Sequence, residues 1–214
     1  MIFRKGGDRI KETVYRYDTP VSIALLSDLH DKPFDRIVES LKTHKVDLIL
    51  IPGDLFFHDT APEGQSMLAY SPYALPFFRA CAALAPTYFS LGNHDWMFTD
   101  DDSAALHDIG VTVLDNAFVR VGDLCIGGLT AAHVIRCREE KPVKIKKSIF
   151  RHQYFGPRCE PEPDTAWLDE FEAQDGYKLL LCHHPEYRDK FLRGRKIDLI
   201  VSGHAHGGQI RLFG

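Results

Sequence analysis

The chain has 214 residues, which suffices for one domain with a sizeable buried core. Hydrophobic residues make up 44% of the chain and charged residues 26%, a composition that excludes disordered and fibrous proteins. The formal net charge of −4 gives no general basic field, which argues against a dedicated nucleic-acid-binding protein.

Short apolar runs that end in polar residues recur along the chain and predict buried strands. These predicted strands are 21–26, 46–51, 87–91, 111–114, 124–126, 178–181 and 197–201. Helices are predicted from amphipathic or acid-capped segments at 33–45, 70–84, 101–108 and 165–173. Because 111–130 contains strands and turns only, the pattern favours an α/β fold with two packed sheets and flanking helices over a single doubly wound sheet.

The segment 133–164 departs from this alternation. It is rich in lysine, arginine, glutamate and proline and lacks a regular apolar pattern. We interpret it as a surface loop or small cap inserted into a single domain that covers 1–214. Its basic side chains either form an ordinary solvated surface or face a substrate, and the sequence leaves both open.

The chain lacks an apolar stretch of the length needed to span a bilayer, and its start has no signal-peptide pattern. Its five cysteines include no CxxC pair, and their odd number argues against a complete disulfide framework. We therefore expect a cytoplasmic protein with no membrane span. The sequence does not specify an oligomeric state.

Candidate metal ligands follow the predicted strands at the points where the strands end. They are Asp28 and His30 after the first strand, Asp54 after the second, Asn93, His94 and Asp95 after the third, His183 after the sixth, and His204 and His206 after the last. The carboxyl ends of strands in α/β folds converge on one crevice, so five segments should aim these side chains at one place. Imidazole and carboxylate ligands suit Zn, Fe and Mn.

Two of these segments carry candidate ligands two residues apart. An extended backbone would place Asp28 and His30 on the same side, and the same holds for His204 and His206. Glycines would let the backbone turn tightly as each strand ends. They stand directly before three of the motifs, at Gly53, Gly92 and Gly203.

The ordered motifs DxH, GD, GNHD, a lone His and GHxH resemble the calcineurin-like metallophosphoesterase superfamily, over about residues 27–206. GHAHGGQIRL also looks like the GHTHGGQ ending of a bacterial phosphodiesterase-like branch. The resemblance implies a four-layer fold with two packed mixed sheets between helices. In that branch further strands follow GHTHGGQ, whereas this sequence ends eight residues after His206. We therefore expect the C-terminal part of the second sheet to be incomplete.

The resemblance also implies a role for each motif residue. By similarity, one metal would be held by Asp28, His30 and His206, the other by Asn93, His183 and His204, with Asp54 bridging the two. His94 would lie outside the ligand set, contact the substrate and act as general acid, and Asp95 would orient it. The cofactors would be two divalent or trivalent ions, Mn, Fe or Zn. Ligands of this kind have little selectivity among these metals.

These residues predict a dinuclear metal-dependent phosphoesterase that hydrolyses phosphodiester, phosphomonoester or pyrophosphate bonds of a small molecule. Two cations ~3.5–4 Å apart neutralise charge on a phosphoryl group, and water between them ionises near neutral pH, so a metal-bridging hydroxide is the expected nucleophile. Two alternatives stay open: a non-catalytic metal-binding scaffold, and a nuclease that uses the basic segment. The acidic net charge makes a nucleic-acid substrate the weaker alternative.

Several residues near the motifs have no assigned role, and the substrate-binding residues are unknown. The aromatic side chains either line a substrate pocket or belong to the core: Phe56, Phe57, Trp96 and Phe98. His58 and Asp59 either touch substrate or lie in a loop without a catalytic role. His184, which follows a predicted ligand, is expected to face away from the metals.

Overall fold

Two four-stranded sheets organise the residues that the computed structural model describes, which are 5–6, 9–10, 12–15, 21–57, 65–139 and 162–206. A two-residue antiparallel ladder joins β1 (Lys5–Gly6) to β2 (Arg9–Ile10). The first large sheet has the order β3 (Ile23–Leu25), β4 (Leu48–Pro52), β5 (Thr87–Ser90), β6 (Val111–Val113). All of its described pairings are parallel.

The second large sheet is mixed. Its strands in chain order are β7 (Ala117–Val121), β8 (Leu124–Leu129), β9 (Tyr177–Cys182) and β10 (Leu199–Val201). They lie in the spatial order β10-β9-β8-β7, and β7 runs antiparallel to β8 while the other neighbours are parallel. The helices are α1 (Asp35–Lys42), α2 (Met67–Tyr70), α3 (Ala74–Ala82), α4 (Asp100–Asp108), α5 (Ala132–Glu139), α6 (Leu168–Glu172) and α7 (Tyr187–Lys190).

Period-two alternation in β4 explains how the layers form. Leu50 faces the second sheet and packs in one buried cluster with Leu179, whereas Ile49 faces the other way and packs with Phe78 of α3. On the far side of the second sheet, Phe171 of α6 packs on a third apolar cluster. Each fully buried apolar side chain stabilises the fold by roughly 1.5–3 kcal/mol. The resulting order is helix, sheet, sheet, helix.

The predicted architecture of two packed sheets flanked by helices is confirmed, and each of the seven predicted strands has a counterpart. Mixed pairing, expected in both sheets, occurs within the described residues only in the second. The helix predicted at 70–84 is split, since α2 ends at Tyr70 and α3 begins at Ala74. Ser71 is extended because Pro72 disfavours helical backbone in the residue before it.

The inserted segment is described only in part. Its first residues belong to α5, where Val134 is fully buried, while 140–161 lie outside the described residues. The same holds for His58, Asp59 and the chain beyond His206. The expectations of a cap, of a substrate contact at 58–59 and of an incomplete second sheet therefore stay predictions. None of the helices in the described part combines the length and apolar character needed to cross a bilayer.

One buried carboxylate fixes the start of α4. Asp102 accepts a hydrogen bond from Thr99 N at 3.0 Å, and Thr99 Oγ1 accepts one from Asp102 N at 3.2 Å, which together form a capping box. The Asp102 carboxylate also accepts from the backbone amides of Met67 and Leu68, each at 3.1 Å. Asp102 therefore ties the first turns of α2 and α4 together.

Asp102→Ala is expected to lower the free energy of unfolding by about 2–4 kcal/mol, because several buried amides lose a charged acceptor. Asp101→Ala is the matched control, since Asp101 is exposed in the same turn and contributes only to the helix dipole, about 0.3–1 kcal/mol. Urea unfolding of the metal-free proteins measures both losses. Equal losses would contradict the role assigned to Asp102.

Candidate metal centre

The described structure brings the five predicted segments together. The first donor set consists of Asp28, His30 and His206. In this set the Nε2 atoms of His30 and His206 are 3.3 Å apart. Oδ1 of Asp28 lies 4.0 Å from Nε2 of His30 and 3.6 Å from Nε2 of His206. Ligand atoms that bind the same ion at about 2.1 Å lie roughly 3–3.5 Å from one another. The distance between the two imidazoles falls in this range, and the two distances to Asp28 exceed it by up to 0.5 Å, so the first donor set lies close to the spacing of a shared cation.

The second donor set consists of Asn93, His183 and His204. Nδ1 of His204 is 3.0 Å from Oδ1 of Asn93, and Nε2 of His183 is 3.0 Å from Oδ2 of Asp54. Asp54 also has an oxygen within 4.8 Å of a ring nitrogen of His30. The Asp54 carboxylate thus lies next to both donor sets.

The environment of His183 tests whether these residues suit a metal ion. Nδ1 of this buried ring donates to the carbonyl of Pro52 at 2.6 Å, so Nε2 carries the lone pair in the neutral ring. Within the described residues, Nε2 has no hydrogen-bond partner of ordinary geometry, yet it faces a carboxylate oxygen of Asp54. Two acceptors 3.0 Å apart need a proton or a cation between them. The donor set fits a metal ion.

Protonation in this pair follows from the same contact. Burial favours the neutral His183 ring, but the Asp54 carboxylate outweighs burial and raises the pKa of His183. Burial likewise opposes ionisation of Asp54, and His183 lowers the pKa of that carboxyl. Without metal, these shifts favour a protonated His183 ring beside an ionised Asp54 carboxylate, and metal binding must displace that proton. His30 differs, because burial lowers its pKa to about 4 and leaves a neutral, ligand-ready ring.

The backbone of the ligand segments is left-handed at several predicted ligands. The φ angles are 59° at Asp28, 51° at His30, 57° at Asp54, 62° at His204 and 44° at His206. Such angles cost non-glycine residues about 1–3 kcal/mol, so surrounding contacts must hold them. Two backbone hydrogen bonds help to hold them: the amide of Asp28 donates to the carbonyl of Gly53 at 3.3 Å, and that of His30 donates to the carbonyl of Asp54 at 3.2 Å. The prediction of extended backbone in both pairs is wrong.

The three motif glycines serve two different purposes. Gly53 has φ of +87° and makes the predicted turn. Gly92 instead permits close packing, because a Cβ there would collide with Oδ1 and the backbone nitrogen of Asp54. A Cβ at Gly203 would collide with the side chains of Ser27 and Asp28. A Cβ at Gly53 would likewise collide with the backbone of Gly92, so all three glycines are required by tertiary contact.

His94 lies at the edge of this centre. Its backbone amide donates to Oδ1 of Asp54 at 2.8 Å, and its Nε2 is 3.9 Å from Oδ2 of the same carboxylate. The ring packs edge-on against His30 with centroids 4.6 Å apart, and 27% of the side chain is exposed. An imidazole in this position can reach both the Asp54 carboxylate and a molecule that enters from solvent.

Asp95 is fully buried directly behind the ligand loops. Its carboxylate accepts from the amides of Gly92 at 2.7 Å, Asp54 at 2.8 Å, Leu55 at 3.2 Å and Phe56 at 3.3 Å. Burial, aided by the charge of Asp54, raises the pKa of Asp95 to about 7. The bonds fix the GD loop against the GNHD loop. That Asp95 also orients His94 stays a prediction.

The family model of calcineurin-like phosphoesterases matches residues 21–208, a span that contains every predicted ligand. The chain belongs to this family. Among its relatives, an uncharacterized metallophosphoesterase of Helicobacter pylori is 27% identical over 96% of this chain and 50% of its own length. The phosphodiesterase YaeI of Escherichia coli is 28% identical over 90% of this chain and 63% of its own length.

Other family relatives are longer. A bovine transmembrane protein with a metallophosphoesterase domain is 29% identical over 89% of this chain and 41% of its own length. The chain spans about half the length of the Helicobacter pylori relatives that it matches. Among solved structures, a Thermus thermophilus sulfate thiohydrolase, SoxB, superimposes with a TM-score of 0.46 at 18% identity, over 79% of this chain and 33% of that chain.

The structure also places several residues near the centre that have no assigned role. His184 packs against a predicted ligand, since its ring centroid lies 4.2 Å from that of His204, and its orientation away from the metals stays a prediction. Phe56 and Phe98 belong to the core, whereas Phe57 is 48% exposed. Glu186, which was not among the predicted site residues, has its carboxylate 3.0 Å from Nδ1 of His184. The signal was present in the HHPEY sequence, directly after a ligand.

Proposed function

We propose that this chain is a dinuclear metal-dependent phosphoesterase that hydrolyses phosphodiester, phosphomonoester or pyrophosphate bonds of a small molecule. The position of Asp54 between the two donor sets is the observation that supports the proposal most directly. A carboxylate in that position can serve two cations at once. Membership of the calcineurin-like phosphoesterase family supports the same reaction class.

Cations held by Asp28, His30 and His206 and by Asn93, His183 and His204 would supply a water-derived nucleophile and neutralise charge on the phosphoryl group. The chain's own residues do the remaining work. Asp54 keeps the donor sets together, and the amide of His94 fixes one oxygen of that carboxylate at 2.8 Å. The His94 side chain, partly exposed beside the donor sets, carries the proton that the leaving oxygen requires. Asp95 holds the two loops in register through the four backbone amides.

The described residues favour catalysis over the scaffold alternative. A metal site that serves structure alone is normally closed by protein ligands, whereas catalytic sites keep an open position. His206 is 46% exposed at its side chain, and His94 27%, so the centre is reached from solvent on this side. The nuclease alternative depends on the basic segment, most of which lies outside the described residues. That alternative and the cytoplasmic location stay predictions.

A substrate screen on the metal-reconstituted protein tests the proposal. The substrates are a bis-aryl phosphodiester, an aryl phosphomonoester and a pyrophosphate, each assayed after removal of metal and after addition of Mn²⁺, Zn²⁺ or Fe. We expect metal-dependent turnover of at least one substrate, with about two ions per chain by elemental analysis. Metal binding without turnover of any substrate would instead favour the scaffold.

A further inference from the structure

His184 lies in a stack of rings that ends at a predicted ligand. Its centroid is 4.2 Å from that of His204 and 4.8 Å from that of Tyr187, whose plane differs from its own by 18°. Tyr187 is buried and its hydroxyl accepts from the amide of Ala132 at 3.3 Å. The stack therefore connects the core of the second sheet to the second donor set.

The orientation of His184 is fixed by a second contact. Nδ1 of His184 lies 3.0 Å from Oε1 of Glu186, so the neutral ring donates there and keeps its lone pair on Nε2. One nitrogen of His184, one nitrogen of His204 and one oxygen of Glu186 all lie within 4.8 Å of one another. A negative charge is thus placed beside the His204 ring.

The His204 ring must be held in one orientation to bind a metal ion, and its backbone conformation is strained. Its Nδ1 must stay 3.0 Å from Oδ1 of Asn93 while its backbone is held at a φ of 62°. His183 packs edge-on against the same ring, with centroids 5.2 Å apart. Outer-shell groups that orient a ligating imidazole and raise its basicity commonly change metal affinity by about 10–100-fold.

We propose that His184 is a positioning residue, which with Glu186 sets the affinity of the second donor set for its metal ion. The inference rests on the proposed function, because it presumes that His204 binds metal. In this arrangement His184 itself binds no ion. The ring of His184 restricts His204 by packing, and the Glu186 carboxylate favours positive charge at the second donor set.

The test is a calorimetric titration of the metal-free full chain with Mn²⁺ and with Zn²⁺, combined with elemental analysis. His184→Ala is expected to weaken binding of one ion by about 10–100-fold while the affinity for the other changes by less than about threefold. His184→Phe, which retains a stacking ring, should recover most of the loss. Glu186→Gln, which retains an acceptor without charge, should show a smaller loss at the same ion.

His44→Ala is the matched control, since His44, two residues after α1 ends, forms a comparable pair with Glu12 at 3.1 Å. It should leave both affinities unchanged. Three results would overturn the positioning role: unchanged affinities in His184→Ala, equal loss of both ions, or complete loss of one bound ion in both His184 variants, which would make His184 a ligand. If the unaltered chain binds no metal, the proposed function fails instead.

Discussion

Asp54→Asn is expected to reduce turnover of a chromogenic phosphodiester by roughly 10³-fold or more, since several kcal/mol of charge stabilisation disappear with the shared carboxylate. Asparagine keeps the size of the side chain but offers one neutral oxygen where two ions need a common anionic ligand. The pairing with His183 at 3.0 Å also changes, because an amide no longer raises the pKa of that ring. Elemental analysis should show fewer than two ions per chain.

The control for this variant is Asp47→Asn. Asp47 accepts from the amide of Ser22 at 2.9 Å at the start of β4, at the opposite end of the strand from Asp54. It should retain both ions and full turnover. An Asp54→Asn protein with two ions and unchanged turnover would remove the carboxylate from the catalytic centre and contradict the proposed function.

His94→Ala is expected to leave metal content unchanged and to reduce turnover by about 10²–10⁴-fold, the usual contribution of a positioned acid or base. The contact to Asp54 that is made by the backbone amide of residue 94 survives the substitution. The loss should grow as the leaving group becomes more basic, because a poor leaving oxygen needs the proton most. A series of aryl phosphodiesters with graded leaving groups measures this dependence.

His107→Ala provides the comparison for His94→Ala, since His107 is exposed at the end of α4. It should show neither a turnover defect nor a change in leaving-group dependence. If His94→Ala loses metal, His94 is a ligand. If the loss is the same for every leaving group, the general-acid role is wrong and His94 contributes in another way.

The sequence predicted the strand ends well because the relevant signals are local. Apolar runs that stop before Asp28 or Asp54 show where a buried strand ends, and that pattern needs no tertiary information. The split between α2 and α3 was missed although it is also local, since Pro72 restricts Ser71. The apolar pattern runs across Pro72 and favours one helix, whereas the proline interrupts it.

Other features could not be predicted from neighbouring residues. Gly92 is required because Asp54 approaches it, and these positions come from different strands. Asp95 accepts from the amides of Asp54, Leu55 and Phe56, which lie 39 to 41 residues earlier in the chain. The predicted role of Asp95 was confined to its neighbour His94 because this long-range contact has no sequence signature.

The sequence by itself determined which side chains are available to bind metal, their order, and the layered α/β fold that collects them. Only the tertiary structure decided how those side chains are held: left-handed backbone at the ligands, a buried carboxylate behind two loops, and His184 packed on His204. The division has a physical reason. Strand periodicity depends on residues one or two positions apart, whereas strained backbone persists only where contacts between distant segments offset its cost.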